Sequence, residues 1–444
     1  MNKTFPRVII VGETFRLNGG GGITMFNLFK EWPKEKIGVI TTQIDETDPT
    51  TGYRYYQLGN LEIKHPFPFN LFQTRIHSGE YKFNIQSTHI QWKNRKNVLH
   101  GLKSSIRKLF DNIITILGIS YKFYAISPSN QLLHWIRDFD PDIIYVQPFL
   151  HKTMIFGNLL YERLRMPYAI HIMDDSVRYV NKAIIRKKAC QAKIDEDFKQ
   201  LVNNARSCLC ISDAMADEYL RRYDRRFISF RNPVETHKWL PYKKPLISVN
   251  PDSLRIIYTG RLFSPTLVSL LNMCRVIDNM VKKGLMVELH IYTHDKNKVF
   301  YKRIDRMKGI KVLEPVGFNE MPHLISKYDI FFMCLDSDRH AQKYSRYSIS
   351  TRTSEGMISG VPILVYAPDN TALYRYFKMH DAGLLLHDFD ETVFEKSIMK
   401  LWTDIDLRTK LSSNAMKQVL NDSDASVVRE NFRKCLINNK KDVL

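Results

Sequence analysis

Ser350-Thr351-Arg352-Thr353-Ser354-Glu355-Gly356-Met357-Ile358-Ser359-Gly360-Val361-Pro362 sets a basic group, several hydroxyls and one carboxylate ahead of a short apolar run. Ser350 or Thr351 can cap a short helix that ends at Gly360, and Pro362 then opens Ile363 to Tyr366, which reads as a buried strand. A helix start welcomes an anion, because its free N–H groups and partial positive charge favour phosphate. Arg352 adds a two-pronged donor, and Glu355, one turn in, can accept both hydroxyls of a ribose. Such equipment suits a nucleotide diphosphate. The same residues also read as an ordinary capping box in a structural α/β unit, so the rest of the chain has to decide.

The chain has 444 residues, room for two or three domains, and its 44% hydrophobic and 12% aromatic content supplies real cores. No apolar stretch reaches the roughly 18 to 20 residues of a membrane span. A strand starts almost at once, at Arg7 to Gly12, so no secretory signal is expected and the location reads as cytoplasmic. The six cysteines, at 190, 208, 210, 274, 334 and 435, show neither zinc-ligand pairing nor a disulfide framework and read as reduced packing residues.

A formal charge of +20 points to a polyanionic partner: nucleic acid, an acidic membrane surface or a phosphorylated ligand. The charges are dispersed and no RNA- or DNA-reading motif appears, so nucleic acid is not expected. Lys93, Arg95, Lys96, Lys103, Arg107 and Lys108 lead into Leu109, Phe110, Ile113, Ile114, Ile116 and Leu117. That segment reads either as a helix on the inner face of an anionic membrane or as a core helix with a solvated basic face. Arg221, Arg222, Arg225 and Arg226 read as a solvated turn.

Two series of alternating strands and helices argue for an α/β fold with two doubly wound, Rossmann-like domains facing a central cleft. The first series has strands at Val8 to Gly12, Ile37 to Thr42, Asp142 to Gln147, Tyr168 to Met173, Ser207 to Ile211 and Phe227 to Phe230. Proline-rich residues 240–251 mark a boundary. Strands of the second series are expected at Leu254 to Tyr258, Val287 to Tyr292, Ile310 to Leu313, Ile330 to Leu335, Pro362 to Tyr366 and Leu384 to His387. The expected organisation is an N-terminal, acceptor-side domain over 1–240 with an irregular insertion at 52–120, a C-terminal domain over 250–425, and a helix at 426–444 that crosses back.

Three further places carry candidate chemistry. Asn18-Gly19-Gly20-Gly21-Gly22 follows the first strand, and its uncovered N–H groups can approach a phosphate or a sugar closely; a flexible connector is the other reading. Arg261 stands just beyond a strand end, where it can neutralise a diphosphate, and Gly317 with Phe318 can offer backbone groups and an aromatic face to a base, or form a plain turn. His171, Asp174 and Asp175 close another strand, where they can hold a metal, position a sugar hydroxyl or accept a proton, although a strand histidine also serves as a satisfied core residue.

The run Ser350 to Pro362, with Gly260-Arg261-Leu262, Cys210-Ile211-Ser212-Asp213-Ala214-Met215 and Arg231-Asn232-Pro233-Val234, resembles the retaining GT-B glycosyltransferases of the glycosyl transferases group 1 family, in that family's order and across both halves. The resemblance implies a hexosyltransferase-like enzyme that moves a sugar from a nucleotide diphosphate sugar to an acceptor hydroxyl, in surface polysaccharide or glycolipid biosynthesis. It implies that Glu355 binds the donor ribose and that Arg261 and Arg352 contact the diphosphate, with Ser350, Thr351 and Thr353 beside them. Gly19 to Gly22 would face the donor phosphate or the acceptor, and His171 with Asp174 or Asp175 would border the sugar. No metal or cofactor is called for; the nucleotide sugar is a co-substrate, and the acceptor is a sugar or lipid-linked saccharide. Tyr347 stands where many members carry a second glutamate, Arg352 where many have lysine, and no lysine follows Arg261 closely. The competing readings are a GT-B-fold sugar-nucleotide epimerase and a basic membrane- or nucleic-acid-binding module without catalysis.

Overall fold

The computed structural model describes residues 4–15, 20–44, 47, 51–66, 70, 76–81, 98–123, 125–244 and 250–437, with backbone alone at 20, 98–107 and 125. Two compact units result. Unit 1 takes Met1–Cys210, Ala216–Ser229 and Asn431–Leu444; unit 2 takes Ile211–Met215 and Phe230–Glu430.

Unit 1 is built on short strands, five of which are buried along their whole length, as strands inside parallel sheets must be. In chain order they are β1 (Val8–Val11), β2 (Ile37–Thr41), β3 (Arg54–Gln57), β4 (Ile63–Lys64), β5 (Gly79–Tyr81), β6 (Ala125–Ile126), β7 (Ile143–Val146), β8 (Tyr168–Ile172), β9 (Ser207–Cys210) and β10 (Ile228–Ser229). Eight of them form a sheet in the order β10-β9-β8-β7-β1-β2-β3-β5, parallel except for β5, while β4 and β6 form a separate antiparallel pair. The order reverses at β1, between β7 and β2, which opens a crevice beyond the carboxyl ends of β1 and β7. Gly12, at φ +99°, makes the turn out of β1; a Cβ there would lie 2.4 Å from the Gln147 carbonyl oxygen. Unit 1 also contains Phe432, whose ring meets Phe29 at 5.1 Å and Tyr145 at 5.9 Å.

Unit 2 repeats the plan. β11 (Leu254–Thr259), β12 (Val287–Tyr292), β13 (Ile310–Leu313), β14 (Ile330–Cys334), β15 (Ile363–Tyr366) and β16 (Leu384–Leu386) form an all-parallel sheet in the order β13-β12-β11-β14-β15-β16. Alternation along β11 sends Leu254, Ile256 and Tyr258 into one core and Ile257 into the other, so both faces are covered. Each such aliphatic side chain contributes about 1.5–3 kcal/mol on burial.

The stretch expected to be irregular differs from that reading, since β3 is a further parallel strand beside β2 and β5 an antiparallel edge. Arg54-Tyr55-Tyr56-Gln57 hides its strand character because its polar ends flank only two buried tyrosines. The helix Val98–Leu117 occupies the end of the same stretch. Lys93, Arg95 and Lys96 lie outside the described residues.

Candidate functional site

In unit 2 the chain leaves β14, runs through a helix at Arg339–Ser345, and enters a second helix, Arg352–Ile358, before β15. Because β14 and β15 are parallel, this last helix begins at the carboxyl edge of the sheet and runs back along it. It lies close: a Cβ on Gly356 would meet the Phe331 ring at 2.9 Å. Gly360, at φ +74°, then terminates the turn.

The capping expected of Ser350 or Thr351 takes a particular form. Ser350 Oγ accepts the Arg352 N–H at 3.2 Å, while Thr351 is already helical and makes no side-chain cap. Arg352 reaches forward one turn, its Nη1 donating to Glu355 Oε2 at 2.5 Å. The Glu355 side chain is 2% exposed and that of Arg352 27%. A carboxylate so buried needs this partner, since an unpaired one costs several kcal/mol. Thr353 is also buried, and its hydroxyl finds no hydrogen-bond partner among the described residues.

Arg261 follows β11 and donates from Nε to both carboxylate oxygens of Asp295, at 2.9 and 2.8 Å. Asp295, beyond β12, also accepts the Leu262 N–H at 2.7 Å. The Arg261 side chain stays 61% exposed, so this pair binds weakly and leaves guanidinium N–H groups to water. Beyond β13, Gly317 N–H donates to Glu320 at 3.1 Å, and Phe318 is exposed. Arg261, Gly317, Phe318 and the Arg352–Glu355 pair therefore share the carboxyl edge of one sheet, which is where α/β sheets bind ligands.

The sequence reading missed Asp336. This buried residue after β14 accepts the Ser269 N–H at 2.7 Å and the Val268 N–H at 3.2 Å, filling the first turn of the helix Leu267–Lys282. Burial lifts its carboxyl above the ordinary range despite these donors. Two of the helix's free N–H groups are thus already satisfied from within. The only advance signal was the acidic residue directly after an apolar strand.

Unit 1 treats its candidates differently. His171 sits inside β8, 1% exposed, with Nδ1 and the Tyr145 hydroxyl 2.6 Å apart. Burial pushes its pKa down to about 3, so at neutral pH the imidazole is uncharged and a weak base. Asp175, 3% exposed, takes Arg222 in a bidentate pair at 2.8 and 2.9 Å and the Tyr219 hydroxyl at 3.0 Å. Burial alone would lower the Arg222 pKa, but Asp175 and Glu218 hold it above its usual value. Arg222 therefore lies within the helix Asp213–Tyr223, in a buried ion pair, and not in the solvated turn expected of it. Asp174 is half-buried at the strand end.

Gly19 lies outside the described residues. Gly20, Gly21 and Gly22 form the first turn of a ten-residue helix, Gly20–Phe29, where the sequence suggested a loop. A Cβ on Gly21 would lie 3.4 Å from Glu13 Oε2 and 3.6 Å from Met173 Sδ. Glu13, also missed by the sequence reading, thus borders the glycine turn at the carboxyl end of β1. All six cysteines are buried free thiols.

No protein-family model matches the chain, and no curated protein matches it. Solved structures do. HepE from Anabaena, in complex with UDP and glucose, superposes with a TM-score of 0.60 at 11% identity over 97% of this chain and 99% of its own. Sucrose-phosphate synthase from Thermosynechococcus elongatus gives 0.58 at 11% identity, covering 96% and 97%. WaaG, a glycosyltransferase involved in lipopolysaccharide biosynthesis, gives 0.57 at 10% identity, covering 97% and 100%. At this distance the likeness speaks for architecture: two Rossmann-like units in one chain, the GT-B fold.

Proposed function

We propose that this chain is a glycosyltransferase that moves a sugar from a nucleotide diphosphate sugar to an acceptor hydroxyl, with retention of anomeric configuration. One observation carries the reading: a nearly inaccessible glutamate, Glu355, paired to Arg352 at the start of a helix on the carboxyl edge of the unit 2 sheet. UDP and glucose in HepE and the transferase activity named for WaaG lend it chemical support.

In this reading Glu355 accepts the ribose hydroxyls, and the Arg352 guanidinium beside it turns toward the diphosphate. Arg261 supplies a second guanidinium from the same edge, and Ser350, Thr351 and Thr353 supply hydroxyls. Charge grows on the diphosphate as the glycosidic bond breaks, and fixed cationic donors stabilise that charge more than they stabilise the intact donor. Phe318 and Gly317 border the base. The acceptor belongs to unit 1, with the glycine turn Gly20–Gly22 and Asp174 nearest to it. His171 and Asp175 act there through position, holding β8 and the helix Asp213–Tyr223 in place. A role in surface polysaccharide or glycolipid synthesis, on a cytoplasmic face, completes the proposal.

The test is a panel of nucleotide sugars screened by thermal shift, followed by incubation of the stabilising donor with and without saccharide acceptors. Acceptor-dependent release of nucleotide diphosphate is expected. Conversion of the donor sugar to its epimer without acceptor would overturn transfer in favour of epimerisation, and no shift with any nucleotide sugar would remove the donor site altogether.

A further inference from the structure

The helix Val98–Leu117 carries apolar residues on two sides of its last turns, from Leu109 onward. Its inner side is accounted for: Ile114 is 2% exposed, and Phe110 meets Phe123 edge-on at 5.6 Å. The outer side is not. Leu109, Ile113 and Ile116 recur at spacings of four and three, which places them in one stripe, and they are 63%, 47% and 42% exposed. A second element extends the stripe. Gly118, at φ +75°, ends the helix and lets residues 183–186 pack against it; a Cβ there would meet Ala183 Cβ at 2.9 Å. The Ile184 and Ile185 N–H groups both donate to the Ile116 carbonyl, at 2.9 and 3.1 Å, so this loop is bolted to the helix end. Ile184 and Ile185 nevertheless turn outward, 71% and 67% exposed.

Five large aliphatic side chains held in one fixed outward patch are a costly exposure unless something covers them. The surrounding charge says what. Lys108, Lys182, Arg186, Lys187 and Lys188 are all exposed, and among the described residues none of them forms an ion pair. Acidic protein surfaces and anionic lipid both attract such a ring, but aliphatic tips framed by unpaired cations match the depth profile of a bilayer surface, with hydrocarbon beneath and anionic headgroups around it.

We propose that unit 1 docks on an anionic membrane surface through this patch, with Leu109, Ile113, Ile116, Ile184 and Ile185 entering the acyl boundary and the lysines and arginine resting among headgroups. The inference stands apart from the sugar-transfer reading, and its test needs no substrate.

The full chain is sedimented with vesicles of phosphatidylcholine alone and of phosphatidylcholine with phosphatidylglycerol. Binding to the anionic vesicles is expected, weakened by salt, with little on the neutral ones. Ile184→Asp combined with Ile185→Asp lowers partitioning by roughly tenfold or more, and Lys187→Glu with Lys188→Glu lowers it by roughly tenfold. All four positions are exposed, so both variants keep the wild-type melting temperature. An Ile185→Trp reporter shifts its emission to the blue on adding anionic vesicles. Failure of the wild type to sediment overturns the proposal, as does undiminished binding of the isoleucine variant. A concentration-dependent dimer that the isoleucine variant abolishes, with vesicles ignored, assigns the patch to a second copy of the chain instead.

Discussion

The two sheets share a strand order about their first strand, yet they treat charge at their carboxyl edges in opposite ways. In unit 1, Asp175 and Arg222 neutralise each other in the interior and His171 is held uncharged. In unit 2, Arg261 projects into solvent and Arg352 remains partly accessible beside a hidden Glu355. One unit uses its ionisable groups to hold its own elements together; the other keeps cations facing outward. In the proposed reaction the second would take the polyanionic donor and the first the neutral sugar hydroxyl.

The largest effect expected on this contrast comes from Asp175→Asn. It leaves Arg222, 10% exposed, still paired with Glu218 but without its bidentate partner, and losing that buried charge-assisted contact costs about 1.5–3 kcal/mol. Thermal or urea unfolding should show a loss of that size, while nucleotide-sugar affinity, measured below the new melting point, stays within about twofold, a change worth well under 1 kcal/mol. Wild-type stability would mean that the ion pair does not organise unit 1.

Glu355→Gln comes next and reports on unit 2. It keeps shape and buries an amide where a carboxylate had accepted the Arg352 guanidinium. On its proposed role, losing a charged acceptor for two ribose hydroxyls weakens nucleotide-sugar binding roughly tenfold to a hundredfold, read by calorimetry. Equal affinity in variant and wild type would remove Glu355 from the donor site.

His171 turns the comparison into a pH dependence. Its folded-state pKa of about 3 lies below the unfolded value near 6.5, so the unfolded chain binds a proton that the folded chain refuses. The stability held by the neutral ring is complete above pH 6.5 and is lost as pH falls from there toward 3. That contribution steepens the loss by up to about 1.4 kcal/mol per pH unit. Urea unfolding between pH 7 and 4 should therefore show a shallower acid slope in His171→Phe. Identical slopes would show that the ring takes up its proton in the folded protein.

Much of this was legible from strands alone. Runs such as Ile330-Phe331-Phe332-Met333-Cys334 are apolar throughout, because a parallel strand covered on both faces has no polar positions to confuse the pattern. The edges were harder. Phe227 to Phe230 shortens to Ile228–Ser229, an edge strand paired on one side only, and β3 was hidden by its polar ends. Local pattern placed Arg352 and Glu355 one turn apart, and they touch. It had no access to long-range partners: Asp175 meets Arg222 47 residues away, and Asp336 caps a helix 67 residues before it. A carboxylate at a strand end looks alike in sequence whether it awaits a ligand or already has a partner.

Arg261 offers the smallest stability effect and so the cleanest separation of the two units. With its side chain 61% exposed, the pair with Asp295 is worth about 0–1 kcal/mol, so Arg261→Ala should barely move the melting temperature. Binding is another matter, because in the proposed site a diphosphate takes the guanidinium N–H groups that the pair with Asp295 leaves to water. A drop of roughly tenfold in nucleotide-sugar affinity, with a weaker salt dependence, is therefore expected without a stability cost. The corresponding cut in unit 1, Arg222→Ala, should do the reverse, since that guanidinium is committed to Asp175. Should both arginines change stability and leave affinity alone, the cations of unit 2 would be structural too, and the asymmetry between the sheets would carry no functional meaning.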